Sequence, residues 1–306
     1  MATGGCFVRR VVRRRSMCIL PLAGTLILIA TTAAGATGRA AAAGSAHGAR
    51  TAKKTRVIYV QDAGVVAPYM TADSNERCPT TAPHAVAGFF GSNTSTASGQ
   101  LGEAASRPYG AGDRHWSIGV KNLGAQPQSY FVGVVCVSSA RSFVHVSTTG
   151  TIDPLGTNGN DMRCPARAPY PVAGTFGPQG GPDGRFLLAE SVPDRRVWIM
   201  AFRNITNIPQ AYTVGVICAR SGLEVDYLST AQITVAPTAT AFDGGRCPAA
   251  TPHAIDGFFG IPPAANFGDI TLDGSAPHDG GRSWATAISS LSPVAQPYFA
   301  GTVCLR

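Results

Sequence analysis

From residue 57 onward the apolar positions fall into short runs, and the same succession of runs comes three times. Val57-Ile58-Tyr59-Val60, Phe143-Val144-His145-Val146 and Val225-Asp226-Tyr227-Leu228 open the three copies. A second run follows in each: Ala85 to Gly91, Pro171 to Gly177 and Ala254 to Gly260, all with a Gly followed within two positions by Phe. Later runs start at Trp116, Trp198 and Trp284. The last runs close on Cys136, Cys218 and Cys304; in the first two copies they alternate at first and then become continuously apolar. That change predicts a strand exposed on one face and then buried on both. No segment carries a long stripe of period 3.6, so helix content should be low. About five strands per copy are predicted, with turns at Asn158-Gly159 and Asp183-Gly184 among others.

Punctuation between the runs repeats as well. Arg77-Cys78-Pro79, Arg163-Cys164-Pro165 and Arg246-Cys247-Pro248 precede the second run, and Ser106-Arg107-Pro108, Ser191-Val192-Pro193 and Ser275-Ala276-Pro277 precede the tryptophans. Asn122 and Asn204 end the tryptophan runs, with Ser290 at that place in the third copy. The expected fold is all-β: three tandem antiparallel β-units of about 80 residues, each stapled by a disulfide and packed together. Six mature cysteines allow 15 pairings. The repeat favours Cys78–Cys136, Cys164–Cys218 and Cys247–Cys304. Closing loops of that length stabilises each unit by about 4 kcal/mol in the chain-entropy model. Zinc is disfavoured because no two of these cysteines lie within four residues of each other. Six residues separate each closing cysteine from the next opening run, so the units must touch. Each unit has its own opening strand, which favours self-contained modules over the alternative, a single pseudo-threefold assembly like a β-prism.

Charge divides the chain. Residues 1–56 hold ten basic side chains and no acid; the remaining residues hold the other 15 of 25 basic groups against 17 acids, a net of −2. The overall +8 therefore belongs to the N-terminus, and a nucleic-acid-binding basic face is not expected on the repeats. Residues 1–36 read as a signal peptide: arginines, an apolar stretch from Met17 to about Ala30, then Ala34-Gly35-Ala36 as a small-x-small cleavage site. Left uncleaved, that stretch would be a membrane anchor. Residues 37–56 read as an Ala/Gly and basic linker, followed by units at 57–136, 137–222 and 223–306. Secretion to the exterior or the cell envelope is the expectation, and disulfides suit it.

The order Cys-Pro, Gly-Phe, Ser-x-Pro, Trp, Asn, Cys resembles a repeat of exported proteins of high-GC actinobacteria and covers residues 57–306. The second copy departs from it at Thr175 and the third at Ser290. The resemblance implies a secreted or surface location and assigns no activity. The Cys-Pro, Gly-Phe, Cys skeleton and the threefold count are also distantly similar to vitelline membrane outer layer β-prism proteins, whose cysteine spacing is much shorter.

No residue is assigned a catalytic role, and no metal or cofactor is expected. Gly-x-Ser-x-Gly, His-Glu-x-x-His and phosphate-loop motifs are absent from the sequence. Trp116, Trp198 and Trp284 are expected in the core, packed on the disulfides, rather than as sugar platforms. Arg77, Arg163 and Arg246 are expected to be held against a carboxylate or carbonyl. The acids Asp183, Glu190 and Asp194, and Asp269, Asp273 and Asp279, read as turns and strand ends; a glycosidase pair among them is the competing reading. The third cluster matches no calcium loop. Asn93 and Asn204 begin Asn-x-Ser/Thr sequons. Length and content differ most in the loops 92–100, 178–186 and 261–269, so Asn93, Gln179, Asp183, Asn266 and Asp269 mark the candidate binding loops. The expected function is non-catalytic binding or structure, with an envelope polysaccharide or surface protein as partner. The alternative is a wall-acting glycoside hydrolase.

Overall fold

The computed structural model describes residues 55–92, 100–110, 114–138, 143–179, 185–262 and 269–306. The signal segment and nearly all of the linker lie outside these residues. Among the described residues there is no helix, and the strands belong to one compact unit, Ala52–Arg306.

Each copy contributes the same ordered set of strands. The first has β1 (Val57–Val66), β2 (Thr71–Arg77), β3 (His84–Ser92), β4 (Leu101–Pro108), β5 (His115–Asn122) and β6 (Gln128–Val137). The second has β7 (Phe143–Ile152), β8 (Thr157–Arg163), β9 (Tyr170–Pro178), β10 (Phe186–Asp194), β11 (Val197–Asn204) and β12 (Gln210–Ala219). In the third the opening strand is split into β13 (Val225–Ser229) and β14 (Ile233–Val235). It is followed by β15 (Thr240–Arg246), β16 (His253–Gly260), β17 (Ile270–His278), β18 (Ser283–Ser290) and β19 (Gln296–Leu305). With the split opening strand counted once, each copy thus has one strand more than its apolar runs predict. The extra strands β2, β8 and β15 are largely polar, with one buried residue each in β2 and β8 and none in β15, so no apolar run announces them. Asn158 and Gly159, predicted to form a turn, lie inside β8 and pair with Phe202 and Ala201. The opening strands end instead in a turn built on proline, described below.

Three sheets share one plan. Their orders are β1-β6-β3-β17-β18-β15, β13-β19-β16-β10-β11-β8 and β7-β12-β9-β4-β5-β2. In each, the opening, last and second-run strands of one copy join the Ser-x-Pro, tryptophan and polar strands of another. The joins are antiparallel at Phe90↔Ser275, Phe259↔Ser191 and Phe176↔Ser106. A copy is therefore a sandwich of two three-stranded half-sheets, and each half-sheet continues into a neighbouring copy. The modules are not self-contained: the sheets close into the pseudo-threefold arrangement that the sequence left as the alternative. Self-containment fails because a three-stranded half-sheet has an unpaired edge, and the neighbour's half-sheet satisfies it.

The disulfides are Cys78–Cys136, Cys164–Cys218 and Cys247–Cys304. In each, one cysteine follows the polar strand and the other ends the last strand, so the staple ties the two half-sheets of a copy together. The last strands β6, β12 and β19 are buried without interruption over their final six residues, as the apolar runs of the first two copies predict. Three disulfides fit an oxidising, non-cytoplasmic compartment. Among the described residues no helix is long and apolar enough to cross a membrane.

Candidate functional site

The repeated residues form one internal joint, built three times. Trp116, Trp198 and Trp284 are fully buried and reach across their sandwich to a glycine of the facing half-sheet. A Cβ on Gly88, Gly174 or Gly257 would lie 2.2–2.4 Å from the indole nitrogen. That nitrogen donates to a serine hydroxyl: Trp116 to Ser106 (3.0 Å), Trp198 to Ser191 (2.8 Å) and Trp284 to Ser275 (2.7 Å). Each serine is also the residue through which its strand joins the neighbouring copy. The Gly, Ser and Trp landmarks are thus one contact between half-sheets, placed where copies meet. The rings have no face left for a ligand.

Asn122 and Asn204 are equally internal. Asn122 Nδ2 donates to Ala67 O (3.1 Å) and Gln126 O (2.7 Å), while its Oδ1 accepts from Gly124 N (2.8 Å). Asn204 does the same with Asp153 O, Ile208 O and Thr206 N. The second sequon is therefore closed in the folded chain, because its amide is committed; Asn93 lies outside the described residues. At the corresponding place the Ser290 hydroxyl makes longer bonds, at 3.3–3.4 Å, to Ser292.

The expected role of Arg77, Arg163 and Arg246 is corrected. All three are exposed strand ends, not core. In the first two copies the half-cystine's own carbonyl is held by a different arginine, two residues before the tryptophan. Arg114 Nη2 donates to Cys78 O (2.9 Å) and Arg196 Nη2 to Cys164 O (3.0 Å). Arg282 occupies that place in the third copy, where its backbone oxygen accepts from Cys247 N (2.8 Å), as Arg114 and Arg196 do in theirs. The spacing Arg-x-Trp is present three times and could have revealed them.

Within each copy, the turn after the opening strand, the turn before the last strand and the described end of the variable loop lie together. Asn122 and Asn204 bind the first two to each other. Backbone bonds Ile205 N to Arg185 O (3.0 Å) and Leu291 N to Asp269 O (2.8 Å) tie the end of the variable loop to the second turn. The first turn carries proline at Pro68, Pro154 and Pro237. Left-handed residues follow at Tyr69 (φ 57°), Leu155 (φ 53°) and Thr238 (φ 53°), a type II geometry in which glycine is usual. Tyr69, Met70, Leu155, Ile208, Leu291 and Val294 stand exposed on these turns. Of the candidate loop residues, Asn93, Asp183 and Asn266 lie outside the described residues. Gln179 is exposed just after β9, with its backbone N–H on Ala211 O (3.0 Å), and Asp269 immediately precedes β17.

The expected acid clusters do not assemble into an open pair. Asp273 is buried, and its Oδ1 accepts from Leu101 N (2.9 Å) of another copy. Asp279 sits in a turn beside His278 and Ser283. Asp194 is exposed at a strand end, and Asp183 lies outside the described residues. Glu190 is half-buried; burial raises its pKa to about 7, with the Asp161 charge adding and the Ile261 N–H opposing.

Two acids absent from those clusters face a cavity of about 20 Å³ where the three copies meet. Glu103 is on β4 and Asp256 on β16, each beside a β-bulge and nearly inaccessible. The rest of the lining comes from the glycine, serine and phenylalanine positions of the joints, with Leu188, Leu272 and Met200. Burial pushes the Glu103 pKa up to about 8, against an opposing hydrogen bond from Ser106. Burial raises Asp256 well above the usual carboxylate range, and the Glu103 charge raises it further; the Gly257 N–H at 2.9 Å opposes this. The space suits about one water molecule and is far below the roughly 300 Å³ of a small-molecule site. The signal for both was a broken repeat. Glu103 stands where the other copies have Leu188 and Leu272, and Asp256 where they have Ala87 and Ala173.

Among the described residues no group of three or more His, Cys, Asp or Glu is placed to hold a metal ion. Compared with models of known protein families and with curated proteins, the chain matches none.

Proposed function

We propose that the protein is an exported binding or structural scaffold without catalytic activity, whose partner is a polysaccharide or protein of the cell envelope. One observation carries the reading. The repeated Ser, Trp and Cys residues are consumed inside the fold, while the described ends of the loops that differ between copies, Gln100, Arg185 and Asp269, are bonded to turns that carry exposed apolar side chains. A rigid repeated body with variable loops is the arrangement in which recognition resides on loops. Exposed Tyr69, Met70 and Leu155 add apolar contact surface beside them.

The test is incubation of the mature chain with purified wall polysaccharide and with envelope proteins. Co-sedimentation without new reducing ends is expected, and shortening the 92–100 loop should weaken it while leaving the melting temperature nearly unchanged. The glycoside hydrolase reading has one observation in its favour: a half-buried Glu190 whose pKa is raised by burial and by the nearby Asp161, as a general acid requires. Release of reducing ends that disappears in Glu190→Gln would establish that reading and overturn the scaffold.

A further inference from the structure

The carboxyls of Glu103 and Asp256 come from different copies, on strands that belong to different sheets. The cavity lining brings no counter-charge: Arg107 on β4 donates instead to Pro178 O, and Arg203 on β11 and Glu190 on β10 are not among the lining residues. In the cavity lining, β3, β9, β10, β11 and β17 present glycine, serine, phenylalanine, leucine and methionine, and the titratable groups there are Glu103 and Asp256 themselves. The next acid on β17, Asp273, is turned to the Leu101 backbone. An ionised pair in such a place is desolvated with no basic side chain in the lining, and its members repel. A protonated pair has O–H groups to donate, with carboxyl and serine oxygens as acceptors.

We propose that Glu103 and Asp256 form an acid-set latch at the meeting point of the three copies: the closed body is tight while the pair carries its protons and loosens as they leave. The latch joins the first copy to the third, the two ends of the repeat array, and the second copy has Leu188 and Ala173 at the corresponding positions.

The sign follows from proton linkage. Glu103 ionises near its ordinary value of 4.5 in the unfolded chain and near about 8 in the folded one. Between these limits the folded state holds more protons than the unfolded, so stability falls as pH rises. Each such carboxyl raises the unfolding equilibrium constant by nearly tenfold per pH unit in that window. Asp256 acts in the same direction, starting from its lower ordinary value of 3.8.

The experiment is denaturant unfolding of the disulfide-intact chain from pH 4.5 to pH 9, for the wild type and for Glu103→Leu/Asp256→Ala, which installs the residues of the other copies. The wild type should be most stable at the acid end. In the double variant the pH slope should shrink by nearly tenfold per unit for each carboxyl removed, and stability at pH 8 should rise. An infrared band of protonated carboxyl at pH 7, lost in the double variant, is the second readout. Because Glu190 is also part protonated at pH 7, the band is read in a Glu190→Gln background, where it decides the matter if the double variant does not fold. Equal slopes in both proteins, or no protonated-carboxyl band in the wild type at pH 7, would overturn the latch. So would stabilisation of the wild type, but not the variant, by calcium or sodium at pH 8, which would make the pair an ion site.

Discussion

The substitution Gly257→Ala adds one methyl group where the fold leaves no volume. Its Cβ would lie 2.2 Å from both Cδ1 and Nε1 of Trp284 and 2.9 Å from Ser275 Oγ, against an ordinary carbon contact of about 3.5–4 Å. The indole must therefore retreat by more than 1 Å, roughly. It is buried throughout and tethered by its 2.7 Å bond to Ser275. Overpacking of this kind costs about 1–3 kcal/mol, and leaving the indole N–H without its acceptor costs about 1–3 kcal/mol more. For a body of this size each kcal/mol lowers the melting temperature by about 2–4 °C, so a fall of roughly 5–20 °C is expected. Gly159→Ala on β8 is the control, because the nearest atom to its Cβ is Met200 O at 3.8 Å. That variant should stay within about 0.5 kcal/mol of the parent. Thermal melts by near-ultraviolet circular dichroism measure both. If Gly257→Ala melts with Gly159→Ala, the indole does not rest on the glycine as described, and the account of the repeated joint fails.

Two further outcomes follow from the same geometry. Peptide mapping without reduction should find Cys78–Cys136, Cys164–Cys218 and Cys247–Cys304; a Cys136–Cys164 or Cys218–Cys247 peptide would contradict the sandwich of half-sheets. Asn204→Ala removes the side chain that holds Asp153 O, Ile208 O and Thr206 N, and should cost about 1–3 kcal/mol in denaturant unfolding. An exposed Asn204, by contrast, would tolerate the change and would accept glycan on secretion from a eukaryotic host.

The sequence by itself determined the strand-forming runs, the three copies and the disulfide map. Apolar alternation and a fixed cysteine spacing are local properties, and each copy repeats them independently. It did not determine β2, β8 and β15, because an edge strand exposed to water needs backbone partners rather than apolar side chains. It misplaced the repeated arginine: Arg77, Arg163 and Arg246 adjoin the cysteines in sequence, whereas Arg114 and Arg196 reach them through a strand pairing. Only the tertiary structure decided that half-sheets of different copies join edge to edge. Nothing in a single copy specifies which edge its neighbour will cover. The same closure decided the environment of Glu103 and Asp256. They are 153 positions apart in sequence, and their burial together in a space the size of one water exists only because three copies close on one another.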